Sequence, residues 1–171
     1  MAINESKQII SLIGNEVVGD RQFSPAITAA FTFLDGTGAS KGTKVGKALV
    51  TLSSGAAQQI ALTSSTTFED AAGDAITFTK IKGIAFSTRS GSATSDIGAT
   101  ANSAAMVIGA NGSNDWDTLL NATGTLTVPA ESLIVALTGD ADGWAVTASD
   151  IINVDGDGSD KVLIWVFGEA S

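Results

Sequence analysis

Val162-Leu163-Ile164-Trp165-Val166-Phe167 is the stretch on which the reading of the fold turns. Successive side chains of a strand point to opposite faces. Val162, Ile164 and Val166 therefore share one face, and Leu163, Trp165 and Phe167 share the other. Both faces are apolar, whereas an antiparallel sheet in a two-layer protein normally keeps one face in water. One set thus needs a second cover, supplied by the N-terminal segment or by another subunit. The subunit option implies an oligomer, and most closed oligomers are cyclic.

Outward from this strand the chain alternates short apolar runs with turn residues. Ile151 to Val154 precedes it, and Asn153-Val154-Asp155-Gly156-Asp157-Gly158-Ser159-Asp160 joins the two. Counted from Asn153, the acids partly match a helix-loop-helix calcium loop, but the twelfth position is Ile164, where a bidentate Glu is required. That motif is rejected. An acidic, Gly-rich hairpin loop is the ordinary reading, and the same holds for Asp140 and Asp142, with a weaker turn-based calcium site as the alternative.

Further upstream, Trp144-Ala145-Val146, Leu133 to Leu137, and Gly124 to Val128 read as strands, the last ended by Pro129, which lacks an amide donor. Ala105 to Ile108 and Trp116 to Leu120 continue the same rhythm, with Asn111-Gly112 between them. Thr88 to Ser103, which includes Arg89 and Asp96, reads as a long loop. Loops of about 15 residues without secondary structure are uncommon, so this is a candidate partner contact.

Asp74 to Ser87 carries Ile76 and Phe78 on one face, then Ile81, Ile84 and Phe86. The three-residue step from Ile81 to Ile84 breaks the alternation at Lys82-Gly83. A β-bulge there returns both isoleucines to the core face. Gln58 to Thr63, Val45 to Leu52 and Phe31 to Leu34 read as earlier strands, the last closed by Asp35-Gly36-Thr37-Gly38. Ile9, Ile10, Leu12 and Ile13 fit a helix or a strand, and Val17-Val18 fits an arm or edge strand.

The prediction is an all-β chain: an antiparallel sandwich or jelly-roll-like barrel of about eight to ten short strands, with an N-terminal arm or edge segment. Residues 1–30 form the N-terminal arm or edge segment, a candidate contact with a neighbouring subunit. Residues 31–171 form the β-sandwich domain.

Composition narrows the chemistry. The 171 residues include no Cys, no His and no Tyr. Thiolate chemistry, the usual general base near neutral pH and the commonest metal ligand are absent together, so the chain is read as a non-enzyme. Asp115 with Asp117, and Glu69 with Asp70, sit too close in sequence to face each other across a glycosidase cleft. Trp116, Trp144 and Trp165 are read as core or subunit-interface packing, with a sugar platform as the alternative. Gly36-Thr37-Gly38 and Gly42-Thr43-Lys44 are turn chemistry, not a phosphate loop. No catalytic, cofactor-binding or metal-ligating residue is assigned, and no cofactor is expected.

Net charge is -9, all of it beyond residue 110, where ten acids face the single base Lys161. Such a surface repels phosphate backbones, so no nucleic-acid partner is expected. Lys41, Lys44 and Lys47 are the one positive cluster and read as a solvated strand edge, or else as an ionic partner contact. The start lacks signal-peptide features and no apolar run reaches bilayer length, so no membrane is expected and synthesis in the cytoplasm is.

Four stretches carry a likeness to a known class: Ile81-Lys82-Gly83-Ile84-Ala85-Phe86-Ser87; Ile108-Gly109-Ala110-Asn111-Gly112-Ser113-Asn114-Asp115-Trp116; Gly124-Thr125-Leu126-Thr127-Val128-Pro129-Ala130; and Gly143-Trp144-Ala145-Val146-Thr147-Ala148-Ser149-Asp150. In these the chain resembles structural proteins of tailed bacteriophages, particularly small jelly-roll head-decoration (cement) or spike proteins. The resemblance implies homotrimers on the capsid surface of the virion, bound to the major capsid protein, with residues 1–30 as the capsid- or subunit-contacting arm, and transfers no catalytic residue. The rival readings are a tail-tube or other virion component, which should show a long inter-ring arm or hairpin, a carbohydrate-binding module, and a small polysaccharide enzyme.

Overall fold

The computed structural model describes residues 5–13, 16–18, 21–23, 26–64, 66–70, 72–90, 100–109, 116–121 and 123–171. It opens with a hairpin: β1 (Glu5–Ile13) pairs antiparallel with β4 (Ala26–Asp35), from Glu5 opposite Leu34 to Ile13 opposite Ala26. β2 (Glu16–Val18) and β3 (Arg21–Phe23) pair with each other and keep the same register. The segment Ile9–Ile13, which sequence left between helix and strand, is therefore strand. β4 runs across residue 30, the expected edge of the arm.

The next strands are β5 (Lys41–Gly42), β6 (Lys44–Thr51), β7 (Gln58–Ala61), β8 (Phe68–Glu69) and β9 (Ala75–Ile76). β10 (Phe78–Ser87), β11 (Arg89–Ser90), β12 (Thr100–Ala101) and β13 (Met106–Ile108) follow. After the one-turn helix α1 (Asp117–Leu120) come β14 (Leu126–Val128), β15 (Leu133–Leu137), β16 (Trp144–Ala145), β17 (Ile151–Asp155) and β18 (Lys161–Ala170). Of these eighteen strands among the described residues, most are short, and the long strands β6, β10 and β18 form the middle of the larger sheet.

That sheet has the order β15-β10-β18-β6-β8-β9, with β16 also on β10; a second sheet has the order β14-β13-β17-β7. The all-β, antiparallel expectation holds for both. Their inner residues form one core: Val162, Ile164 and Val166 of β18 and Ile84 and Phe86 of β10 meet Ile60, Met106, Ile108, Val128, Ile152 and Val154 of the second sheet. β10 carries the expected bulge. Ile81 pairs with Gly168 and Gly83 with Phe167, leaving Lys82 as the extra residue, and Ile81 and Ile84 are both buried in the core.

Two sequence expectations are corrected. Trp116 to Leu120 is not a strand: Asp117–Leu120 is a helical turn, and it brings Leu119 and Leu120 against the core beside Trp116. Positions i, i+3 and i+4 share one face of a helix, and this spacing outweighs any period of two. Thr88 to Ser103 is not all loop. β11 pairs with β12 at Arg89–Ala101 and Ser90–Thr100, and buried Thr88 donates its hydroxyl to the Pro129 and Ser132 carbonyls. Asp96 and the tip lie outside the described residues, as does Asn111-Gly112.

Ile164 has no exposed surface and lies at the centre of the shared core. Ile164→Ala is expected to lower unfolding free energy by about 2–5 kcal/mol, read as a reduced urea midpoint at unchanged denaturant slope.

Candidate functional site

The second apolar face of β18 is covered at its ends and open in its middle. At one end Leu163 is fully buried. At the other, β5 crosses Phe167 so closely that a Cβ on Gly42 would overlap the ring; only glycine fits there. Between these ends lies a groove of about 310 Å³, lined by Val45, Gly83, Ala85, Leu133, Val135, Leu137 and Trp165, among others. Leu133 is 51% exposed and Val45 41% exposed, and Leu34, at the hairpin root, is 52% exposed. An apolar concavity on a sheet face with exposed apolar rims is an interaction surface on physical grounds.

The hairpin root is fastened beside this groove. β5 pairs in parallel with the end of β4, Leu34 opposite Lys41 and Asp35 opposite Gly42. The Ser40 amide donates to the Gly139 carbonyl, and the Thr43 amide to the Gly168 carbonyl. The Ala170 amide donates to Thr43 Oγ1 at 2.9 Å. Glu169, buried, accepts from the Gly38 amide at 3.1 Å and lies 3.6 Å from Lys80 Nζ and 3.8 Å from Lys82 Nζ. Lys82 is fully buried, and its ammonium donates to the carbonyls of Asp140 and Ala141. A buried ammonium is tolerable only when its donors are met and an opposite charge is near. Both conditions hold.

The remaining candidates have structural partners. Asp160 accepts from the Ser103 and Ala104 amides and from Ser103 Oγ, pinning the chain after β12 to the turn before β18. The acidic 153–160 loop therefore uses a carboxylate as an internal acceptor. Among the described residues no group of three or more acidic side chains is placed to hold a metal ion. The 139–143 loop contributes carbonyls to Lys82.

Asp70 is held by Lys44 Nζ at 2.9 Å and by the Ala72 and Asp74 amides. The Lys44 hydrogen bond first, then the two amides, lower its pKa from 3.8 to about 2. Lys44 is raised in turn by its hydrogen bond to Asp70. So the 41–47 lysines are not one free patch: Lys44 is paired within the chain, and Lys47 stands opposite Glu69. Glu69 is exposed while its neighbour Asp70 is buried and tied up. Asp115 and the side chain of Asp117 lie outside the described residues.

The tryptophans divide. Trp116 is buried, donates Nε1–H to the Ala145 carbonyl at 2.9 Å, and meets Trp144 edge to face at 6.3 Å. Trp165 instead lines the groove. Sequence reasoning found the double-faced strand but missed the partnership of Lys82 and Glu169, whose signal was a charge set between Ile81 and Ile84 in one strand and just beyond Phe167 in the other. Comparison with family models, with curated proteins and with solved structures finds no match to this chain.

Two outcomes test this electrostatic reading. Lys82→Met removes the donor from the Asp140 and Ala141 carbonyls, while Glu169 keeps Lys80 and the Gly38 amide, and should cost about 1–3 kcal/mol, seen in chemical denaturation. For Asp70 the folded pKa lies below the unfolded value, so its contribution is fully present above pH 3.8 and disappears as pH falls through about 2. The stability gap between wild type and Asp70→Asn should accordingly be full at neutral pH and close toward pH 2 in urea titrations.

Proposed function

We propose that this chain is a non-enzymatic structural protein of a virion: a capsid decoration or cement protein of a tailed bacteriophage, seated on the outer surface of the head lattice against the major capsid protein, as a homotrimer. The jelly-roll-like wrapping of the two sheets belongs to the same proposal. The observation that carries it is the half-open apolar face on β18 and its neighbours, with a hairpin arm rooted at its edge. A protein built to join copies of itself or a lattice needs such a surface and needs no reactive side chain. The phage-like stretches at 81–87, 108–116, 124–130 and 143–150 supply the lattice.

A second reading, a tail component, is favoured by the hairpin itself. Nine consecutive rungs between β1 and β4 make an arm about 30 Å long, which is the feature that reading requires. The carbohydrate-binding alternative loses support because Trp116 and Trp144 pack together against the core, which leaves Trp165 as the one tryptophan that lines the open groove.

Mixing the purified chain with undecorated capsids and imaging them distinguishes these. The decoration reading expects added density at symmetry points of the outer lattice. Bare capsids together with rings or tubes of the protein alone would transfer the assignment to the tail, and bare capsids with no assembly would remove both.

A further inference from the structure

We propose that Lys82 and Glu169 are the two ends of an intramolecular amide cross-link, formed by condensation of the buried ion pair that joins β10 to β18. The inference is independent of any role in a virion.

The fold brings the two groups together and shuts water out. β10 and β18 are neighbours in the larger sheet, with Lys80 opposite Glu169 and Ile81 opposite Gly168. The bulge leaves Lys82 as the extra residue, and its side chain has no exposed surface. Nζ ends 3.8 Å from Glu169 Oε1, and the Glu169 side chain is itself only 9% exposed. That separation is slightly beyond the ~3–3.5 Å of a near-attack pair, a gap that a small side-chain rotation closes. Reacting groups held in this way reach effective molarities of about 10⁵–10⁸ M, and a site closed to water protects the product from hydrolysis.

The surrounding groups suit the reaction. The Asp140 and Ala141 carbonyls accept two of the hydrogens on Nζ. One position on that nitrogen remains, and Glu169 is the acid within ion-pair distance of it. The Gly38 amide donates to Oε1 at 3.1 Å, where negative charge gathers as nitrogen attacks the carboxyl carbon. Lys80 Nζ lies 3.6 Å from Oε2, the oxygen that leaves. In the step, the bond from Nζ to Cδ forms and the Cδ–Oε2 bond breaks. The nitrogen sheds two protons, one of them by way of the Lys80 ammonium, and both depart with Oε2 as water. No oxidant, reductant or co-reactant is needed. The product is neutral, so the cost of keeping that ion pair out of water disappears, and the new amide carbonyl still accepts from Gly38.

Mass spectrometry of the full chain under denaturing conditions reads the outcome. The wild type should weigh one water less than its sequence requires, allowing for the initiator methionine. Trypsin cuts after Lys80, Arg89 and Lys161 but not after an amidated Lys82. The digest should therefore hold a branched peptide joining residues 81–89 to residues 162–171, and its fragmentation should place the bond between Lys82 and Glu169. Lys82→Met and Glu169→Ala should each return to the full mass of their own sequences. A wild-type chain at full mass, a digest in which residues 162–171 appear mainly as a linear peptide, or a deficit that persists in either variant would overturn the inference. Because the mass is read on denatured chains and the wild-type digest locates the bond, a variant that fails to fold does not obscure the result.

Discussion

The whole architecture depends on β18 being buried on both sides over most of its length. Its inner face of Val162, Ile164 and Val166 closes the core between the two sheets, and its outer face forces other parts of the chain to come and cover it. β5 is drawn over Phe167 because burying a phenylalanine is worth about 1.5–3 kcal/mol, and the lack of a side chain at Gly42 is what permits the approach. Since β5 leads directly back to β4, the demand of one strand for cover decides where the arm begins.

The bulge at Lys82 is the second consequence of the same constraint. β10 must place Ile81 and Ile84 in the core although they are three residues apart, and the extra residue is the only one in that run that carries charge. A strand position opposite the core face would have put the ammonium toward the apolar outer surface. The Asp140 and Ala141 carbonyls and the Glu169 carboxylate receive it instead. Electrostatics here serves the fold's joint between body and arm.

Much of this was readable from spacing. The double-faced strand, the bulge, the turn at Asp35–Gly38 and most strand positions follow from alternation and turn chemistry, which are local. What escaped depends on partners distant in sequence. Asp160 looked like a solvated loop acid because its acceptor role involves Ser103 and Ala104, 57 and 56 residues away. Lys82 looked like an ordinary bulge residue because the carbonyls that hold it come from a loop whose aspartates drew attention to their side chains. Ile9–Ile13 stayed ambiguous because its strand character is conferred by Ala26–Ala30 across the hairpin. The helical turn at Asp117–Leu120 was present as a three-and-four spacing but is too short to outvote the surrounding strand rhythm.

The fastening of the hairpin root has a mechanical side. Gly38, Ser40 and Thr43 are bound to Glu169, Gly139 and Gly168, so the root is gripped by two chain segments that are themselves locked to β10. A tilt of the root strains several of these bonds at once, and no single rupture frees it. A base gripped in this way behaves as a fixed bracket and not as a tether: it sets the direction in which the chain leaves the body, and with it the spacing between the body and whatever the far end of the ribbon holds.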